Sequence, residues 1–175
     1  MENWEFIGKL TDKTVLGLGG LSDKAPRKTA RAILINSEGK IALMYAKKFD
    51  LYSLPGGGLE EGETELDALI REIFEETGCQ CDSIDSLGIV SENRAHADDV
   101  VLSYYFVVHT KTTHATPQLT DKEIENGTTL YWVNLQEAFH LIHDRTHTTN
   151  QRKFLQARDI AALKSYIIKY KINDE

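Results

Sequence analysis

The segment from Leu54 to Cys81, LPGGGLEEGETELDALIREIFEETGCQC, decides how this chain is read. Its second half follows the local rules of a helix. Thr64 is an N-cap, and Asp67 three residues on completes a capping-box pattern. Leu66, Leu69, Ile70, Ile73 and Phe74 recur at i, i+3, i+4, i+7 and i+8, which predicts one apolar stripe. Gly78 is a natural stop just past the last helical residue. The spacing therefore predicts a helix over Glu65–Thr77.

Glu72, Glu75 and Glu76 stand beside that stripe, within an arc of roughly 100°. Neighbouring carboxylates repel one another, and the C-terminal half of a helix disfavours negative charge. Stability alone would not place three acids here. Hard divalent cations, which take carboxylate oxygens, remove the penalty. By themselves the glutamates read as a solvated acidic face, because Glu is a good helix former. Arg71 can pair with Glu75 or reach back to the preceding loop. That loop shifts the weighting: Pro55-Gly56-Gly57-Gly58 lets main chain approach a ligand closely, and Glu60, Glu61 and Glu63 add acid near the helix start. It is neither a Walker A loop nor a GxGxxG dinucleotide loop.

Together these residues resemble the Nudix hydrolase family, whose box is G-x5-E-x7-R-E-U-x-E-E-x-G-U with U a bulky aliphatic residue. Gly57, Glu63, Arg71, Glu72, Ile73, Glu75, Glu76 and Gly78 fall at the fixed positions, and Cys79 takes the last aliphatic place as a small hydrophobe. The resemblance implies an α+β fold, an α/β/α sandwich with a mixed sheet flanked by helices. It implies hydrolysis of a diphosphate linkage in a nucleoside diphosphate derivative, with Mg²⁺ or Mn²⁺ as cofactor. Glu72, Glu75 and Glu76 would be metal ligands, Glu63 and Arg71 would orient them, and Gly57 and Gly58 would let the loop backbone meet metal or phosphate. The general base is Glu72 or a glutamate on a later loop, for which Glu125 and Glu123 are the candidates. The other reading is a non-catalytic Nudix module that senses a nucleotide or supports a partner; loss of box acids would favour it, and none is lost.

Outward from this segment, Thr29 to Asn36 (TARAILIN) and Lys40 to Ala46 (KIALMYA) read as strands joined by a turn at Asn36-Ser37-Glu38-Gly39, hence a hairpin. Cys81 to Ser91, Val100 to Thr110 and Thr128 to Val133 read as further strands, and Leu135 to His143 and Thr149 to Lys171 as helices. Residues 1–28 read as an N-terminal arm or hairpin packed on the domain or on a partner subunit, which leaves a homodimer open. The polar loop Glu92 to Asp99 offers Arg94 as a phosphate contact. Phe49 and Tyr52 are placed to stack on a base or to pack in the core. His140, His143, Asp144 and His147 have helical metal-ligand spacing, but Thr146, Thr148 and Thr149 argue against a continuing helix.

At 175 residues, with 41% hydrophobic and 27% charged, the chain is sized for one globular domain, 1–175. The net charge of −7 makes duplex nucleic acid a poor partner, whereas a small phosphorylated molecule is reachable through a bridging cation. Two cysteines, Cys79 and Cys81, rule out a disulfide framework. No apolar run approaches the roughly 20 residues that span a membrane, and the first residues lack signal-peptide character, so a cytoplasmic protein is expected. The box does not discriminate among nucleoside triphosphates (oxidised ones included), ADP-ribose, nucleotide sugars and dinucleoside polyphosphates.

Overall fold

TARAILIN is apolar without alternation because the strand it forms, β2 (Arg27–Ile35), is buried on both faces. Ala30, Ala32 and Leu34 face one layer, and Ile33 and Ile35 the other. The computed structural model describes residues 4–111 and 115–170. Before β2 come β1 (Phe6–Thr11) and a short helix α1 (Asp12–Leu16). After it follow β3 (Ile41–Ala46), β4 (Leu51–Ser53), β5 (Gly56–Gly58), α2 (Glu65–Thr77), β6 (Ser83–Arg94) and β7 (Asp99–His109). The chain continues through α3 (Asp121–Glu125), β8 (Thr128–Val133), α4 (Leu135–His143) and α5 (Asn150–Lys169).

Eight strands form one mixed sheet in the order β1-β6-β7-β2-β3-β4, with β5 on β2 and β8 on β3. One layer packs α2 through Ala68, Leu69 and Ile73 against Ala30, Ala32, Leu34 and Phe106. The other packs α4 and α5 through Ala138, Ile142, Ile160 and Leu163 against Ile33, Ile35, Tyr105 and Val107. This is the helix-flanked mixed sheet that the resemblance implied.

The expected hairpin of β2 and β3 exists, but the two share only the Ile35–Ile41 pair. The first half of β2 turns instead to β5, with Thr29 opposite Gly58, Ala30 opposite Gly57 and Arg31 opposite Gly56. β3 pairs with β4 and β8. The sheet therefore splits, and residues 51–58 bridge its two branches. Proline at 55 and glycine at 56–58 serve that crossing: Gly56 has φ 132°, and a Cβ there would lie 2.2 Å from the Ala30 carbonyl oxygen.

Among the described N-terminal residues, an arm packs on the domain: β1 joins the sheet edge parallel to β6, and Trp4 stacks edge-on against Tyr104 and Phe106. Two sequence expectations need correction. Glu92 and Arg94 are not in a loop: they end β6, because each neutralises the other's charge and both are buried. The inner face of α2 is not the expected stripe. Leu66 and Ile70 are each 44% exposed, whereas Ala68, Leu69, Ile73 and Thr77 are buried. The predicted end of the last helix at Lys171 lies outside the described residues.

Candidate active site

Helix α2 is set by the two caps that its sequence announces. Thr64 and Asp67 exchange side-chain and backbone hydrogen bonds at 3.0 and 3.2 Å. Gly78 ends the helix at φ 70°, and a Cβ there would strike the Ala115 carbonyl oxygen at 2.1 Å. The connection from β7 to α3 thus crosses the helix end, where Gln118 also donates its N–H to the Glu75 carbonyl at 2.6 Å.

At about 100° per residue, Leu69 and Glu76 lie on almost the same line of the helix, with Glu72 and Ile73 on either side. Two of the three box glutamates therefore point inward with the core. The Gly56 N–H donates to Glu76 at 2.7 Å. The Glu72 carboxylate lies against Gly57, where a Cβ would come within 2.3 Å of Oε1. Gly58 has open space around it, and its carbonyl accepts from Arg71 Nη2 at 3.0 Å. Glu75 is the most exposed of the three, at 41% of its side chain.

Arg71 organises the rest. It holds Glu63 through two bonds, Nε to Oε1 at 2.7 Å and Nη2 to Oε2 at 2.9 Å. Nη1 reaches Glu72 at 2.8 Å and Glu75 at 3.2 Å. The same guanidinium holds the Glu63 carboxyl down at about 2. Burial raises Glu72 against the pull of Arg71, and burial pushes Glu76 up to about 8 despite the Gly56 N–H. Glu63, Arg71, Glu72, Glu75, Glu76, Gly57 and Gly58 are thus brought together as the sequence implied.

Among the described residues no three donor side chains already converge on one point, because Arg71 runs between Glu63, Glu72 and Glu75. The donor chemistry nevertheless suits a hard divalent cation: clustered carboxylate oxygens beside a backbone that glycine leaves bare. Of the two loop acids, Glu123 lies close enough for its charge to push Glu76 further up, whereas Glu125 is exposed. Glu123 also closes the capping box of α3, accepting from Thr120 N at 2.7 Å.

Arg94 is buried rather than free in a loop. It pairs with Glu92 and lies 3.6 Å from Asp99, and its guanidinium sits 5.5 Å from the Phe154 ring centroid. It lines a pocket of about 480 Å³ with Arg27, His96, Asp98, Asp99 and Gln151. Arg27 stands two residues before Thr29, the partner of Gly58, so the pocket opens at the glycine-loop end of the sheet. Phe49 lies beneath Arg152, and Tyr52 is stacked on Tyr45 at 4.3 Å with Arg145 over its ring. Both rings are thus already packed against protein. The histidine series does not assemble: α4 stops at His143, Asp144 pairs with His140 and His143, and His147 lies past the helix end in a groove that His143 also lines.

Sequence reasoning missed Arg31 and Asp159. Arg31 donates to the Leu54 carbonyl at 3.2 Å, and Asp159 accepts from the Leu54 N–H at 2.9 Å. Each was legible only as a charge interrupting an apolar run.

Comparison with known proteins agrees with this geometry. The NUDIX domain model matches residues 25–157, and the chain belongs to that family. An RNA pyrophosphohydrolase of Psychrobacter sp. (strain PRwf-1) is 46% identical over 48 residues, 26% of this chain and 27% of that protein. A putative 8-oxo-dGTP diphosphatase of Bacillus subtilis (strain 168) is 43% identical over 49 residues, 28% of this chain and 33% of that one. The matched stretch is thus about a quarter to a third of these relatives. A NUDIX hydrolase from Nitrosomonas europaea has the same fold, with TM-score 0.63 at 19% identity, covering 86% of this chain and 97% of that one. The MutT protein of Methanosarcina mazei Go1 gives TM-score 0.60 at 17% identity, covering 85% and 98%. Among the described residues no helix is long and apolar enough to cross a membrane.

Proposed function

We propose that this chain, acting as a single domain, hydrolyses a diphosphate linkage in a nucleoside diphosphate derivative with Mg²⁺ or Mn²⁺. The observation that carries the reading is the inward pair Glu72 and Glu76, held against the bare backbone of Gly56 and Gly57. Two half-buried acids facing glycine have no packing rationale, and they suit a site built to share a cation with a phosphate.

In this reading Glu72, Glu75 and Glu76 hold the cation. Arg71, anchored on Glu63 and the Gly58 carbonyl, keeps Glu72 and Glu75 in register, and the Gly56 N–H holds Glu76. A divalent cation, when bound, neutralises the diphosphate oxygens and lowers the pKa of the attacking water. Glu123 is the favoured proton acceptor, because its charge reaches Glu76 and that of Glu125 is turned to solvent. Arg94 and Arg27 line the pocket for the far end of the substrate. Every cation on that wall already has a carboxylate partner, which favours a neutral sugar or base there over another phosphate. A chain with two cysteines, Cys79 and Cys81, goes with a reducing, cytoplasmic setting.

The test is a product screen over nucleoside triphosphates, ADP-ribose, nucleotide sugars and dinucleoside polyphosphates with Mg²⁺ or Mn²⁺. Hydrolysis of at least one class, abolished by chelation and by Glu76→Gln, is expected. Full activity after exhaustive chelation would overturn the metal role. Tight nucleotide binding without turnover would instead establish the non-catalytic module.

A further inference from the structure

On the face of the sheet opposite α2, a groove of about 520 Å³ runs between β1, α1, the α4–α5 connection and the first half of α5. Its polar wall carries His143, Arg145, His147, Lys153, Gln156 and Lys164, and among the described residues no Asp or Glu lines it. Leu10, Val15 and Ile160 form an apolar side. This is an unusual concentration of positive charge on a chain of net −7.

His147 is the second, independent observation. It is only 7% exposed and lines the groove, and neither ring nitrogen has a hydrogen-bond partner among the described residues. Its nitrogens are not among the atoms sealed from solvent, so they are reachable from the groove, where a ligand oxygen can accept the ring N–H. Lys153 and Lys164 likewise have no ion-pair partner among the described residues. The counter-charges nearby are spoken for: Asp50 takes Arg145 at 3.2 Å, and Asp144 takes His143 at 2.8 Å. The wall is also fixed in advance. Gln156 Nε2 donates to the carbonyls of Ile142, His143 and Arg145 at 2.8, 3.0 and 2.7 Å, and so holds the α4–α5 connection in place.

We propose that this groove is an anion site for a phosphoryl group, separate from the glutamate cluster, with His147, Lys153 and Lys164 as its contacts and the apolar side open to a small organic body. Two sources share that chemistry: inorganic phosphate or pyrophosphate, and a nucleoside monophosphate. The groove lies across the sheet from the proposed catalytic acids, so occupation by a small phosphate and occupation of the acids are independent events.

The experiment titrates phosphate, pyrophosphate and AMP into the full chain in EDTA, where the four carboxylates of the glutamate cluster repel anions. Calorimetry reads affinity, and ring NMR shifts read His147. Saturable binding that moves the His147 resonances is expected. Lys153→Ala with Lys164→Ala should weaken it about tenfold, with an unchanged circular dichroism spectrum, since both lysines stand at the groove rim. Glu72→Gln should leave it unchanged. Tighter binding of AMP than of phosphate would place a nucleoside on the apolar side; equal affinities would place the phosphoryl group alone. Absence of saturable binding at millimolar phosphate, pyrophosphate and AMP overturns the proposal. So does binding that the lysine pair does not affect, or binding that Glu72→Gln removes.

Discussion

A Cβ on Gly57 would lie 2.3 Å from Oε1 of Glu72, so the glutamate occupies the space that the missing side chain leaves. Gly58, one residue on, has nothing within 4 Å of the same position. Gly57→Ala should therefore displace Glu72 and lower hydrolysis at least tenfold, with the melting temperature little changed if the carboxylate swings outward. Gly58→Ala should leave the rate within about twofold. The comparison of rates in the two variants checks this. Equal losses would mean that loop flexibility, not the Glu72 contact, is what matters.

Glu76 should betray the metal through stability. Burial first, with Glu72 and Glu123 adding to it, pushes its carboxyl up to about 8, so without metal its charged form is disfavoured. Glu76→Gln keeps an acceptor for the Gly56 N–H while removing the charge. The expected outcome is a variant at least as stable as wild type in chelator, with most catalysis lost. Wild type should gain stability on adding Mg²⁺ and the variant should gain much less. Melting curves with and without Mg²⁺ decide it: equal gains would remove Glu76 from the ligands.

How much of this was legible beforehand follows from the range of the forces involved. Helix α2 was readable to the residue because Thr64, Asp67 and Gly78 act within one turn of its ends. The split of the sheet was not, because it depends on β5 leaving β3 for β2, a pairing over long sequence separation. The apolar periodicity of α2 also misled. Leu66 and Ile70 fit the stripe, yet the sheet buries Ala68, Leu69, Ile73 and Thr77, with Glu72 and Glu76 half-buried beside them. A site that turns acids toward the core breaks the pattern from which burial is read. Arg94 stands in a polar run of the sequence, but only the structure shows that Glu92 neutralises it inside a strand.

The proton acceptor can be separated by two isosteric changes. Glu123→Gln preserves the α3 capping box, because Gln serves at that position as Glu does. It should lower kcat by about two orders of magnitude with the fold and metal affinity retained. Glu125→Gln, at an exposed position, should be within about twofold of wild type. A reversed pattern would return the base to Glu125, and no loss in either would return it to Glu72. Stopped-flow rates together with Mn²⁺ titrations supply both readouts.

The cysteines make a pH prediction. Burial, helped by nearby Cys79, pushes the Cys81 thiol up to about 11. Only the thiolate is nucleophilic, so at pH 8 about one Cys81 in a thousand is reactive, against roughly a quarter of ordinary thiols. Because the folded value is raised, reactivity should climb with pH through the alkaline range instead of levelling near pH 9. Alkylation of native protein at pH 8, followed by mass spectrometry, should be roughly two-hundredfold slower than after denaturation. Cys79, fully buried, should react only on unfolding. Fast native labelling of Cys81 would contradict its half-buried setting.

Asp159 ties the last helix to the glycine loop, and its removal should affect both. The residue is fully buried. One oxygen accepts from the Leu54 N–H at 2.9 Å, and the other takes the Tyr105 hydroxyl and Arg158 Nε. Arg158 is itself buried and donates to the same Tyr105 oxygen at 3.0 Å. Asp159→Ala would leave a buried guanidinium without its counter-charge, a loss of about 3–5 kcal/mol. For a chain of this length that lowers the melting temperature by about 10 °C. Asp159→Asn keeps one acceptor oxygen in place of two, and Arg158 and Tyr105 compete with the Leu54 N–H for it, so stability should fall less than in Asp159→Ala while the Leu54 contact loosens. Its effect should instead appear in catalysis, because Leu54 lies two residues before Gly56, whose N–H fixes Glu76. Below its melting temperature, Asp159→Asn should show weaker metal activation than wild type, read as a higher Mg²⁺ concentration for half-maximal rate. If that concentration is unchanged while stability falls, the buried network serves the fold alone.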